Sequence, residues 1–273
     1  MKNMERFMKN YDVTVLIPSY NPGMFLKDAL ESVFRQTYNK WKIVLVDDAS
    51  TDKSLASVEH YLNDPRVTII RLKENVGQSK AQNEGLAVID TPYIMKLDAD
   101  DWLFIDTIEK LRNEAEKVSE QVALIWGNKT DVYEDREGNK LLEVPRIGGR
   151  SYGDRYEFLL SNDVPFPRFY RTSALKQVGG WPTDDPWDGR HLEDKRMDAL
   201  LIEHFTIHWI DEMLYNYRQH ANNATKKIDL YNEVFEWHIY HTLKKWGDLY
   251  RPVFRKYCGW LQLAQLLPNQ NPV

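Results

Sequence analysis

The sequence predicts an α/β protein whose mostly parallel sheet is flanked by helices on both faces. Three observations lead there. Four short apolar runs, VTVLIP (13–18), KIVLVDD (42–48), RVTIIRL (66–72) and PYIMKLD (92–98), have the β-branched character of strands buried on both sides. Between them, FLKDALESVFRQT, TDKSLASVEHYL and GQSKAQNEGLAVI repeat apolar residues three and four apart, as amphipathic helices do. The alternation calls for crossover connections. Finally, 273 residues with 42% hydrophobic and 28% charged side chains suffice for a full core and a smaller appendage.

In open sheets of this kind ligands sit beyond the carboxyl ends of the strands, so the residues after each run are the informative ones. They are Ser19-Tyr20-Asn21-Pro22, then Asp47-Asp48-Ala49-Ser50-Thr51-Asp52, then Glu74-Asn75-Val76-Gly77, and last the acids of IMKLDADDW, Asp98, Asp100 and Asp101. Singly, each has an ordinary structural explanation: Ser50 or Asp52 can cap a helix, and Asn21-Pro22-Gly23 can turn the chain. Together they line one crevice. Three crowded carboxylates repel one another unless a cation sits among them, and aspartate is the hard oxygen ligand that Mg²⁺ or Mn²⁺ prefers.

Composition removes several classes of function. A net charge of -5 and a pI near 5.9 leave no overall basic field for nucleic acid. Cys258 is the single cysteine, which excludes an internal disulfide and points to a reducing compartment. The start, MKNMERFMKNYD, lacks the apolar core of a signal peptide, and no apolar run reaches the roughly 20 residues of a membrane span. A cytoplasmic protein is expected, so the triplets Asn128-Lys129-Thr130 and Asn223-Ala224-Thr225 have no glycan to carry. No G-x-G-x-x-G follows a strand, which argues against a dinucleotide-dependent oxidoreductase.

The segments IPSYN (17–21), VLVDDASTD (44–52), ENVGQSKAQNEG (74–85), KLDADD (96–101), VGGW (178–181), LED (192–194) and YRQH (217–220) resemble, in order and spacing, the inverting nucleotide-sugar glycosyltransferases of family 2. The resemblance covers roughly residues 12–220 and implies the Rossmann-like GT-A fold. It implies a donor site formed by Pro18, Tyr20, Asn21, Asp47, Asp48, Asn75, Gly77, Asn83, Asp98 and Asp100, and a Mn²⁺ or Mg²⁺ ion held by Asp100, Asp101 and His220. Tyr20 offers a π-face to the base, and Asp48 would accept the N3 proton of uracil, which favours a UDP-sugar. Asp194 is the match for the general base that deprotonates the acceptor hydroxyl; Glu193 and Asp194 would open a helix whose dipole favours the ionised form. The chain departs from the family at Ala81-Gln82-Asn83, where an arginine commonly stands in place of Gln82, with Lys80 just before. His191 has no assigned role, and Trp181 and Trp187 could each stack on a sugar or simply pack.

The implied reaction is transfer of a single sugar to a glycan, lipid-linked or other hydroxyl acceptor in polysaccharide or cell-wall assembly. A processive synthase would need spanning helices and a Q-x-x-R-W motif, and neither is present. The alternative is an inactive nucleotide-sugar or glycan-binding module, against which the acid cluster and Asp194 argue. Residues 1–225 would form the catalytic domain and residues 226–273 an aromatic, basic extension of two amphipathic helices split near Pro252. From residue 221 on, seven Lys or Arg stand against four acids. Three uses are open to this extension: packing back on the catalytic domain, forming a homodimer, or touching the inner face of a membrane as a peripheral contact.

Overall fold

The computed structural model describes residues 11–135, 137–220 and 227–269. The boundary drawn at residue 225 and the triplet Asn223-Ala224-Thr225 lie outside them. The first half alternates as expected: β1 (Val13–Ser19), α1 (Phe25–Phe34), β2 (Trp41–Asp47), α2 (Ser54–Ser57), α3 (Glu59–Leu62), β3 (Val67–Arg71), α4 (Gln78–Val88) and β4 (Tyr93–Lys96). These four strands are parallel neighbours in the order β3-β2-β1-β4. Every residue of β1 is buried, because helices cover both sides. Val15, Ile17, Ile43 and Leu45 face α1, whose Leu26, Ala29, Leu30 and Val33 sit at helical spacing. Leu16, Val44 and Val46 face α4. Gly85 permits that approach, since a Cβ there would lie 2.4 Å from Leu16 Cδ1.

The one helix predicted over TDKSLASVEHYL is two single turns, α2 and α3, broken at the buried Val58 with φ -117°. Here side-chain burial overrides local propensity.

The second half adds β5 (Trp102–Leu103), α5 (Thr107–Ala115), β6 (Val122–Glu134), β7 (Lys140–Arg146), α6 (Arg155–Ser161), β8 (Phe166–Arg171), α7 (Thr172–Gln177), α8 (Glu193–His204) and β9 (Thr206–Gln219). The sheet continues through β8, β6, β9 and β5, with β7 on β6. Because β8 runs antiparallel to β4, the end of β4, the start of β8 and the start of α8 meet.

The extension begins as expected with α9 (Ile228–Lys245), but its second predicted helix is a hairpin, β10 (Tyr250–Tyr257) and β11 (Trp260–Pro268). Cys258 and Gly259, both at positive φ, make a two-residue turn between the paired Tyr257 and Trp260. Pro252, which would break a helix, lies in a strand of an isolated two-stranded sheet that tolerates its missing N–H. Phe235, Ile239, Leu243, Trp246 and Leu263 belong to the same buried cluster as Leu16, Leu86 and Leu201. Of the three uses open to the extension, packing on the catalytic core is therefore realised. Among the described residues no helix is long and apolar enough to cross a membrane.

A shared core predicts shared stability. Phe235→Ala should cost about 3–5 kcal/mol and lower the urea midpoint of the whole chain in a single transition. An early transition confined to the extension would show instead that it folds apart.

Candidate active site

The loops beyond β1, β2 and β3 are tied to one another by the motif residues themselves. Asn21, at φ 49°, accepts hydrogen bonds at Oδ1 from the backbone N–H groups of Thr51 and Asp52 (2.7 and 3.2 Å), and its own N–H donates to Ser50 Oγ at 2.9 Å. Asp47 accepts from the Ser50 N–H at 3.1 Å. Asp48 is buried and accepts from the N–H groups of Val76 (2.7 Å) and Gly77 (2.9 Å) and from Asn75 Nδ2 (3.0 Å). It fixes the turn at Gly77, whose φ of 92° starts α4. Pro18 lies in the buried β1, while Tyr20 at its end is 52% exposed, as a stacking surface for a base must be.

The cation beside this segment comes from an unexpected place. Gln82 is fully buried, and Lys80 pairs with Asp188 at 2.6 Å. Arg190, from the loop before α8, reaches across to donate to Asn75 Oδ1 (2.6 Å) and Asn75 O (2.9 Å). Asn83 has a different task from the donor contact expected of it. Its amide exchanges two 2.8 Å hydrogen bonds with the backbone of Trp181, locking the VGGW turn onto α4. Trp181 is core, and Trp187 packs edge-to-face on Trp237 of α9 at 5.8 Å.

Past β4 the three acids separate. Asp100 keeps a side chain 31% exposed and lies 3.0 Å from Nε2 of His220, which in turn packs on the Phe25 ring at 4.7 Å. Asp101, expected beside them, turns inward and is fully buried. Its Oδ2 accepts from the Tyr215 hydroxyl at 2.8 Å and its Oδ1 from the Arg218 N–H at 2.7 Å. With both oxygens spent joining β4 to β9, it is an anchor and not a partner of Asp100 and His220. Arg218 also donates to the carbonyl of Asp100 at 2.7 Å and pairs with Asp28 and Glu134 at 2.6 and 2.5 Å, which fixes the Asp100 loop from behind.

Asp98 belongs to a second, buried cluster. Lys96, at the end of β4, has its side chain 1% exposed and sets Nζ 3.1 Å from Asp98, 2.7 and 2.9 Å from the two oxygens of Asp194, and 3.5 Å from Glu193. The buried Arg168 of β8 places Nη1 2.9 Å from Asp194 Oδ2. Burial opposes the charge of Asp194, but Arg168 and Lys96 outweigh it and hold the carboxyl below the usual range. Burial and the neighbouring Asp194 charge push Glu193 up to about 8, so at neutral pH it is protonated. Burial also carries Asp198, one turn along α8, up to about 7. The sequence reading expected Asp194 at a helix start and missed Lys96 and Arg168. Their signal was visible, since each is a cation inside an apolar strand run, where lone charges are rare.

A sheet of this order, with an aspartate cluster past β4 and a carboxylate brought to it by the helix after a GGW turn, has the GT-A fold. The chain belongs to glycosyl transferase family 2, whose model matches residues 14–179. It is 32% identical to the glycosyltransferase GlyG of Streptococcus pneumoniae over 229 residues, 78% of this chain and 73% of that protein. It spans 23% of the length of GlyA from the same organism. TarS of S. aureus, solved with UDP-GlcNAc, aligns with a TM-score of 0.63 at 18% identity over 87% of this chain and 71% of that one. The mannosyltransferase PcManGT of Pyrobaculum calidifontis, solved with GDP-Man and Mn²⁺, aligns at 0.58 and 18% over 86% and 63%. At these identities the two structures speak for the fold.

The Glu193 proton has a thermodynamic signature. Its folded value lies above the ordinary one near 4.3, so its contribution to stability is present at low pH and is lost as pH rises towards about 8. Glu193→Gln removes that ionisation. Melting temperatures measured across this window should fall less steeply with pH for the variant than for the parent.

Proposed function

We propose that the protein transfers one sugar from a UDP-sugar to a glycan or lipid-linked hydroxyl with inversion, with Asp194 as the base. The observation carrying this reading is the shared ammonium of Lys96. It holds Asp98, past the donor strand, and Asp194, on the acceptor side, on one buried centre. Asp194 is ionised across the physiological range. It would take the acceptor proton as the acceptor oxygen bonds to the anomeric carbon and the carbon–oxygen bond to the diphosphate breaks, the electron pair leaving with UDP.

Tyr20 would stack on the base, with Asn21, Asp47, Asp48, Asn75 and Gly77 shaping the rim and Asp98 meeting the ribose or sugar. Asp100 and His220 fit a divalent cation: one hard oxygen and one imidazole nitrogen, adjacent and backed by Arg218, with diphosphate oxygens to complete the shell. Bound there, the ion would stabilise the charge growing on the leaving diphosphate. Its residue pair suits Mn²⁺ and leaves Asp101 out. The UDP-GlcNAc of TarS supports the choice of UDP, and two further relatives, the chondroitin synthase of Escherichia coli and the putative teichuronic acid biosynthesis glycosyltransferase TuaG of Bacillus subtilis, support an acceptor in polysaccharide or cell-wall assembly.

Two measurements check the assignment. Asp194→Asn preserves shape and helix start but removes the proton acceptor, so transfer should fall on the order of 10²–10⁴-fold with UDP affinity retained. Near-normal turnover in a folded variant would remove Asp194 from the chemistry. Calorimetry of UDP binding should show affinity lost in EDTA and restored by Mn²⁺, and strongly weakened in Asp100→Ala. Equal affinity with and without EDTA would exclude the ion from the donor site.

A further inference from the structure

The ammonium of Lys96 joins Asp98 to Asp194, and its placement is expensive. An ammonium taken out of water costs several kcal/mol unless compensated, and this one is buried in the last position of a strand between apolar neighbours. Burial works against its proton, but Asp194 and Asp98 more than offset it and keep Lys96 charged. A point charge with three donors at the end of a flexible stem can serve several acceptors at once. Here it serves three carboxyls from two elements.

We infer that Lys96 is the positioning residue of the transfer: it fixes the carboxylate of Asp194 relative to the donor-side Asp98, so that the acceptor oxygen is presented in line with the departing diphosphate. This inference rests on the proposed role of Asp194. The need for such a tie follows from the start of α8. Its N-cap, Leu192, sits at φ 52° and makes no side-chain capping bond. Among the described residues, the hydrogen bonds and ion pairs of the glycine-rich turn and loop before it include those to α4 and to Arg196 of α8, which pairs with Asp184 and Asp185, and none runs to β4. Arg168 grips Asp194 from β8, and Lys96 is the contact that reaches the donor strand. In-line geometry is sensitive, and a shift near 1 Å can cost about 100-fold in rate.

Glu193 fits the same arrangement. With Lys96, Arg168 and Asp194 charged and Glu193 protonated, two cations face Asp194 and Asp98, the latter a carboxyl that burial raises against the pull of Lys96. Lys195 of α8 and Tyr170 of β8 stand near the same charges and have their own burial shifts: Lys195 is lowered to about 8 and Tyr170 is raised. Asp198, pushed up to about 7 by burial, titrates among the same groups. Loss of Lys96 would leave Asp194 with Arg168 alone and free to shift.

The test uses release of UDP from UDP-GlcNAc, UDP-glucose and UDP-galactose with water as the acceptor, on the full chain with Mn²⁺. Lys96→Met keeps the bulk of the stem and removes charge and donors. Its kcat should fall at least tenfold while its calorimetric UDP affinity stays within about threefold, and the acid limb of its kcat/KM profile should move up by about 1 pH unit or more, as loss of one of two cations beside a carboxylate dictates. Lys96→Arg keeps the charge in a different geometry, so its acid limb should stay in place while kcat still falls. The Arg variant also serves if the Met variant does not fold. Unchanged kcat in either folded variant overturns the inference. So does a loss confined to melting temperature, with parental kcat per folded molecule and an unmoved limb. If the parent itself neither binds UDP nor releases it from any of the three donors, the underlying reading fails first, and with it the role of Lys96.

Discussion

Lys96 closes β4 and Arg168 stands near the start of β8, cations where an α/β sheet would ordinarily hold aliphatic residues, and the surrounding fold is organised to keep them paired. Lys96 and Arg168 lie side by side on β4 and β8, antiparallel neighbours in register at this pair. Like charges so close in the interior repel strongly unless anions stand between them. Asp98 and Asp194 do so, and the second of these must be delivered by a helix nearly a hundred residues downstream. That requirement dictates where α8 begins, and through α8 it dictates the path of the GGW turn and the loop that follows. Replacing such a network with apolar side chains can be neutral or stabilising in other proteins. Its presence at a strand end facing the ligand crevice therefore speaks for position and charge more than for stability.

The motif residues divide by what their polar atoms already hold. Asn21, Asp48, Asn83 and Asp101 satisfy backbone groups of neighbouring loops, with most of their hydrogen-bonding capacity spent inside the fold. Tyr20, Asp100 and Asp194 keep exposed surface or charge for a ligand. Two of the free residues are each followed directly by a spent one, Tyr20 by Asn21 and Asp100 by Asp101. Asp101 braces Asp100, and Asn21 braces the loop of Asp47 and Asp48. A buried carboxylate that accepts two or three backbone N–H bonds is a strong local constraint, which explains why an aspartate can be required at a donor site without touching the donor.

How much of this was legible follows the same division. The four parallel strands were visible because each is a continuous β-branched run, and the helix start at Glu193 and Asp194 was visible because the LED segment resembles a family motif contained in a few consecutive residues. The hairpin of the extension was missed because YRPVFRKYCGWLQLAQLL also satisfies helical spacing. Only the Cys258-Gly259 pair distinguishes the two, by requiring positive φ twice in succession. Asp101 was misplaced because sequence gives crowding but not direction, and direction is set by Tyr215 and Arg218, more than a hundred residues away. Lys96 announced itself as a charge inside PYIMKLD, but a lone cation has no meaning until its counter-charges are known, and those are distant in sequence.

Arg190 shows how the two sides of the crevice become mechanically linked. It belongs to the loop that leads into α8, yet its guanidinium is laid on Asn75, which itself bonds Asp48. Lys80 and Asp188 add a second tie between the same segments, and the Ser79 N–H donates to the carbonyl of Gly189 at 3.2 Å. Gln82, where the resemblance to the family implies an arginine, is buried within α4, and the positive charge at this rim arrives from the loop before α8 instead. On the proposed roles, a donor settling against Asn75 would meet the segment that leads to Asp194. Binding energy gained at the nucleotide would then be available to order the base, which is how remote contacts contribute to the rate of a transfer and not only to affinity.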